Sequence, residues 1–106
     1  MTPARRPSAP SHLSAPMKAW WRQVVDDYSL EPHHLLLLTQ ACEAHDRATQ
    51  ARKQVDADGP TIADRFGQLR PHPAVPIERD SRAAFARLVR QLDLEGEGDP
   101  LYRRST

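Results

Sequence analysis

The sequence has only one cysteine and no long apolar segment. Because Cys42 has no second cysteine to pair with, an intrachain disulfide is excluded and a reducing compartment is expected. We interpret Cys42 as a small core residue and not as a reactive thiol, since leucines and alanines surround it. No apolar run approaches the ~20 residues that a membrane span needs, and the first residues lack the apolar stretch of a secretory signal. These absences predict a soluble cytoplasmic protein.

The motifs of common enzymes are also missing. There is no Walker loop, no GxGxxG and no HExxH pattern. His33 and His34 are adjacent, so on a helix they point about 100° apart, and His45 lies too far along the axis to share one ion with them. We therefore expect no catalytic residue, no metal site and no cofactor.

Charge is balanced overall but concentrated locally. The chain has 15 Lys and Arg residues against 14 Asp and Glu residues. Between Thr61 and Leu92, however, arginines outnumber carboxylates, and the planar arginine fork suits phosphate and carboxylate groups. The sequence predicts a local basic surface on an otherwise neutral protein.

The N-terminal part is predicted to be a disordered arm over residues 1–12, rich in Pro, Ser and Ala, followed by a helix. Ser14 is the expected N-cap, and Pro16 is tolerated in the first turn. Trp20 and Trp21 lie in an apolar stripe, which predicts a core or a contact between subunits. A partner subunit is expected because 106 residues bury only a small core.

A second helix of about 26 residues should begin at Glu31 and Pro32 and end before Gly59 and Pro60. Small side chains recur along it with heptad-like spacing, which lets another helix come close. A second line of apolar residues on the same helix makes its apolar surface broader than the area that one neighbouring helix would cover. The predicted subunit interface consists of Trp20, Trp21, Leu37, Ala41, Ala44 and Ala48.

A short hairpin or an irregular loop is predicted around Phe66 and Gly67. Pro71, Pro73 and Pro76 should keep the chain extended until a third helix begins. We expect that helix to bury Ile77, Ala84, Phe85, Leu88 and Leu92 and to turn its arginines outward. The predicted fold is mainly α, with a helical core over residues 13–94 and a flexible tail over residues 95–106.

Two stretches resemble the small subunit of phage terminase: "WWRQVVDDYSLEPHHLLLLTQACEAHDRATQAR" and "GPTIADRFGQLRPHPAVPIERDSRAAFARLVRQLDL". The family pattern is a Trp-containing helix, an ACEAxDRA helix, a segment ending in (N/H)PA, and then a helix of the form ExxxRxxFxRLxRxLGL. The resemblance covers roughly residues 13–95. His72 stands where Asn is more usual, and Asp93 where Gly often ends the last helix.

The resemblance implies a ring-forming homo-oligomer that presents repeated basic surfaces to viral double-stranded DNA. It also implies delivery of that DNA to the large terminase subunit, an ATPase and nuclease, in the cytoplasm of the bacterial host, with the tail as a docking segment. A proline elbow would then fix the angle between the long helix and the arginine helix. The candidate DNA-binding residues are Arg5, Arg6, Arg65, Arg70, Arg79, Arg82, Arg87 and Arg90.

Two alternatives stay open. One is a small helical structural or adaptor protein whose arginines are only a solvated surface. The other is a different DNA-binding regulator, although a helix-turn-helix would need two short helices and a tight turn.

Overall fold

The computed structural model describes residues 7–94, which form three helices and one small antiparallel sheet. The mainly helical prediction is confirmed. The segment around Phe66 and Gly67 is a hairpin, one of the two predicted possibilities. Residues 1–6 of the predicted arm and the predicted tail over 95–106 lie outside the described residues. The elements in chain order are α1 (Ala15–Asp27), α2 (Pro32–Asp58), β1 (Thr61–Ala63), β2 (Leu69–Pro71) and α3 (Ala74–Leu92).

The predicted starts of α1 and α2 are confirmed. The Ser14 side chain accepts the backbone N–H of Met17, as an N-cap does. Asp46, in the middle of α2, accepts hydrogen bonds from the Ser14 N–H at 2.8 Å and from its hydroxyl. This carboxylate, part of the ACEAHDRA motif, therefore fixes where α1 begins against α2.

The larger apolar cluster joins all three helices. Both α1 and α3 run antiparallel to α2, so the end of α3 meets the beginning of α2. Trp21 is buried there, and its indole N–H donates to the Thr39 hydroxyl at 3.2 Å. We call this region the packed end, and its buried members are Leu13, Met17, Trp21, Val24, Val25, Leu38, Cys42 and Leu92.

Cys42 is fully buried in this cluster, which confirms its interpretation as a core residue. Burial raises the pKa of its thiol to about 12, and the nearby carboxylates of Asp46 and Glu43 add to the effect. The thiol therefore stays protonated and unreactive at neutral pH.

A smaller cluster lies where α2 ends and α3 begins. It consists of Ala51, Val55 and Ala74, with Val75 against them. Small side chains let the two helices approach closely. We call this cluster, together with the hairpin and the elbow between β2 and α3, the open end.

Two details of α3 differ from the sequence prediction. The helix begins at Ala74, so the prediction that Pro76 lies in an extended segment was wrong; proline is tolerated in a first helical turn. With this start the buried face includes Ala74 and Ser81, and Ile77 is 44% exposed, so its predicted burial was also wrong. Leu92 is buried as predicted.

Candidate nucleic-acid interface

The elbow before α3 is held by His72, which is buried. Its Nε2 lies 2.9 Å from the Asp58 Oδ2 at the end of α2, and its Nδ1 accepts the Ala74 N–H at 3.0 Å. Its backbone N–H donates to the Pro60 carbonyl at 2.8 Å. One side chain therefore links the end of α2 to the start of α3. An Asn at this place would offer a similar acceptor, which accounts for the substitution.

The arginines in the first half of α3 have carboxylate partners. Arg82 donates to Glu78 one turn earlier at 2.6 and 3.0 Å, and Glu78 also lies 3.9 Å from Arg52 of α2. Arg79 donates to Asp80 at 3.1 Å. All three arginines are exposed, so each pair adds little stability, but part of the positive charge on this half of α3 is neutralised.

The arginines in the second half of α3 are different. Among residues 7–94, the side chains of Arg87 and Arg90 are exposed and form no ion pair or hydrogen bond. They are three residues apart, so they project from adjacent turns on one side of the helix. Ala83 and Ala86, which are exposed next to them, have small side chains that leave space around the guanidinium groups.

The two arginines of the hairpin have local partners. The Arg65 guanidinium carbon lies 5.2 Å from the centre of the Phe66 ring. Arg70 donates to Asp64 at 2.8 Å, and this contact holds the pKa of the Asp64 carboxyl below its usual value, helped by backbone hydrogen bonds from Gln68 and Phe66. Asp64 also explains the turn, because its side chain orders the backbone around Gly67, whose φ is 79°.

The remaining predicted DNA-binding residues, Arg5 and Arg6, lie outside the described residues. The structure adds two candidates that sequence reasoning passed over, Arg22 on α1 and Arg47 on α2. Both are exposed and have no ion pair within residues 7–94. Neither belongs to the charge excess between Thr61 and Leu92 on which the sequence prediction rests.

Most of the predicted interface residues are buried inside the chain. Trp21 is part of the packed end, and Ala41, Ala44 and Ala48 are buried in this single chain. Trp20 and Leu37 are half-buried, and the Trp20 ring lies 5.9 Å from the Phe85 ring. In this conformation only Trp20 and Leu37 of the set leave apolar area for another subunit, and their role in assembly stays a prediction.

Within the described part of the chain, no cluster of three or more metal-binding side chains occurs. In the same residues no helix is both long enough and apolar enough to cross a membrane. Neither observation adds a candidate site to the arginine surface.

Comparison with known proteins gives one match. A family model described as "Phage terminase, small subunit" matches residues 18–97, well over half of the chain. No curated protein and no solved structure matches. The matched region begins in α1 and includes α2, the hairpin and all of α3.

Proposed function

The chain belongs to the phage terminase small subunit family, which indicates a role in phage DNA packaging, and we propose that it binds viral double-stranded DNA and delivers it to the large terminase subunit. The family is generally the non-catalytic component of the packaging machinery, and we propose that this chain likewise has no enzymatic activity. It would act as a ring of identical subunits in the cytoplasm of the bacterial host.

The observation that best supports DNA binding concerns Arg87 and Arg90 on α3, which have no carboxylate partner among residues 7–94. Arginine binds phosphate in a forked geometry, and an arginine without a carboxylate partner gives up no ion pair when it does so. The helix that carries the pair is held at its start by His72 and at its end by buried Leu92. A fixed geometry of this kind can be repeated by every subunit of a ring.

The other predicted arginines would have secondary roles. Arg79 and Arg82 must give up contacts with Asp80 and Glu78 to reach a phosphate, and Arg70 a contact with Asp64. Arg65 would contribute from the hairpin, and Arg5 and Arg6 from the proposed arm over residues 1–12. We propose residues 13–94 as the domain for assembly and DNA binding.

Two measurements on the wild-type protein test the proposal. Light scattering should give a mass several times the 12.0 kDa of one chain. Fluorescence anisotropy with a labelled duplex should show affinity that falls steeply with salt, with a log-log slope of about −0.9 for each phosphate contacted. A monomer across micromolar concentrations, or binding that salt does not change, would contradict the proposal.

The proposed tail over residues 95–106 gives a separate prediction. If it docks the large subunit, a chain that stops at residue 94 should keep the oligomeric mass and DNA affinity of the wild type and bind the large subunit more weakly. Co-purification with the large subunit checks this. Equal binding by the shortened and full-length chains would remove the docking role and leave DNA binding untouched.

A further inference from the structure

The hairpin leaves its large apolar side chains in solvent. Phe66 is 76% and Leu69 is 74% exposed, and Ile62 is also exposed. The only other exposed large hydrophobic residues among positions 7–94 are Leu36 and Ile77, and Ile77 lies in the first turns of α3, just after the elbow. An isolated two-stranded hairpin is marginally stable in water, so a concentration of exposed apolar groups on it points to a contact made elsewhere.

The turn of this hairpin is ordered before any contact forms. The Asp64 carboxylate accepts the N–H groups of Phe66 and Gln68 at 2.8 and 3.0 Å, in addition to its contact with Arg70. The backbone at Phe66 is therefore held at the tip by a network that does not involve the helices. A backbone ordered in advance loses less conformational entropy when a partner binds.

The hairpin offers side chains to a partner and has little free strand edge. Each strand has three residues, Pro60 precedes β1, and Pro71 ends β2. Proline has no N–H to donate, and short strands with prolines do not readily accept a further strand. A partner would bind through pockets for Phe66 and Leu69.

A groove of about 340 Å³ that could accept such a side chain lies between α2 and α3. It is lined by His45, Ala48, Thr49, Arg82 and Phe85. Ala48 is small and buried, and the His45 and Phe85 rings are 5.2 Å apart. Groove residues with small and aromatic side chains suit an aromatic ring, and an arginine can lie against the face of that ring.

The hairpin of the same chain does not occupy this groove. Phe66 is mostly exposed, and Ala48 lies ten residues before the end of α2, roughly 15 Å along the helix axis. The exposed ring and the groove are therefore two different surfaces of one chain. Two different surfaces that fit one another produce a head-to-tail contact, and such contacts close into rings when the rotation permits.

We infer that Phe66 of one copy inserts into the groove between α2 and α3 of the next copy. This inference rests on the proposed assembly of identical subunits and names its contact. Arg70 is paired with Asp64, so the hairpin offers a partner mainly its exposed apolar side chains Phe66 and Leu69, while Arg65 keeps its charge for the DNA contact proposed above. Apolar side chains with few free charges are typical of the centre of a protein interface.

Site-directed cross-linking tests the contact. Gln68→Cys and Thr49→Cys chains, both of which keep the Phe66 ring, are mixed and treated with a short bismaleimide, and the position of the link is read by mass spectrometry. Both substituted positions are exposed, while native Cys42 is buried with a raised thiol pKa and should not compete. Leu36→Cys replaces Gln68→Cys in the matched control, because Leu36 is also exposed, at 66%, and lies far from the hairpin.

A covalent dimer that links positions 68 and 49, and that the Leu36→Cys control does not form, supports the inference. In parallel, Phe66→Ser should raise the dissociation constant of the oligomer about tenfold or more, as removal of a central aromatic side chain does, while Leu36→Ser leaves it unchanged. If the wild-type protein is oligomeric but the link does not form and Phe66→Ser leaves the dissociation constant unchanged, this contact is wrong while the proposed assembly stands.

Two further outcomes also overturn the inference. Loss of DNA affinity in Phe66→Ser at unchanged mass and without the link would make the hairpin a DNA-binding element. A monomeric wild type would remove the proposed assembly itself and the contact with it.

Discussion

At the packed end three helices bury large side chains such as Trp21, Leu38 and Leu92, whereas at the open end only α2 and α3 meet, through Ala51, Val55 and Ala74. The two ends share the same two helices. They differ in what covers those helices, because α1 spans only the first part of α2. The open end replaces the missing apolar cover with polar contacts, of which His72 and Asp64 are the centres.

The arginines of α3 follow the same division. Those nearer the open end, Arg79 and Arg82, contact carboxylates, and those nearer the packed end, Arg87 and Arg90, do not within the described residues. A count of arginines in the sequence therefore overstates the charge available to a ligand. The positions that combine free charge with a rigid support are those at the packed end.

The largest expected effect is on stability at the packed end. Leu38 is 0% exposed, and Leu38→Ala should lower the free energy of unfolding by about 2–5 kcal/mol, the cost of a cavity in a filled core. Val55→Ala at the open end removes fewer buried carbon atoms and should cost about 1–2 kcal/mol, at ~0.8 kcal/mol per buried CH₂. Urea denaturation of both variants checks the comparison, and equal decreases would contradict the looser packing of the open end.

A smaller effect is expected at the elbow. His72→Ala removes the acceptor for the Ala74 N–H and the contact with Asp58. Loss of a side-chain acceptor for a first-turn N–H should cost about 0.5–2 kcal/mol, as it does at an N-cap. His72→Asn should recover most of that stability because its side-chain oxygen can accept the same N–H. Thermal denaturation of the two variants measures the difference. If His72→Asn is no more stable than His72→Ala, the hydrogen bond to the Ala74 N–H does not hold the elbow.

The hairpin turn should respond to acid through Asp64. Because the contact with Arg70 lowers the pKa of Asp64, the folded turn prefers the ionised carboxylate. Its contribution is complete above the usual carboxyl pKa of about 4 and disappears as the pH falls through the lowered pKa. NMR should show the Phe66 and Gln68 amide resonances shifting in that range, since both N–H groups donate to Asp64. Asp64→Asn should abolish this dependence, and a dependence that persists would point to another group.

Much of the fold could be predicted because its signals are local. Ser14, Pro32 and Gly59 mark helix boundaries through their own backbone and capping preferences, and all three stand where the sequence placed them. The buried face of α3 was harder to predict, since a start at Ala74 turns Ile77 outward and Ser81 inward. Helix periodicity gives relative positions on a face, but the starting residue decides which face is buried.

The candidate site could be predicted only in part for a different reason. The arginines were visible in the sequence, but their pairing depends on contacts such as Arg52 with Glu78, which join residues far apart in the chain. The small side chains that recur along α2 could also be interpreted only in part. Their spacing predicts that another helix packs closely against α2, but it does not tell whether that helix belongs to the same chain or to a neighbouring subunit. In the structure, the helix that covers Ala51 is α3 of the same chain.

The most direct test of DNA binding by α3 compares two double variants for duplex DNA affinity as a function of salt. Arg87→Gln with Arg90→Gln should lower the affinity and make the log-log salt slope about 1.8 less steep per bound subunit, at about 0.9 for each phosphate that is no longer neutralised. Arg79→Gln with Arg82→Gln removes the same number of charges and should change the slope less, because those arginines already contact carboxylates. Light scattering confirms that both variants keep the wild-type mass. A wild-type slope in the Arg87 and Arg90 variant would contradict the claim that this surface of α3 binds DNA.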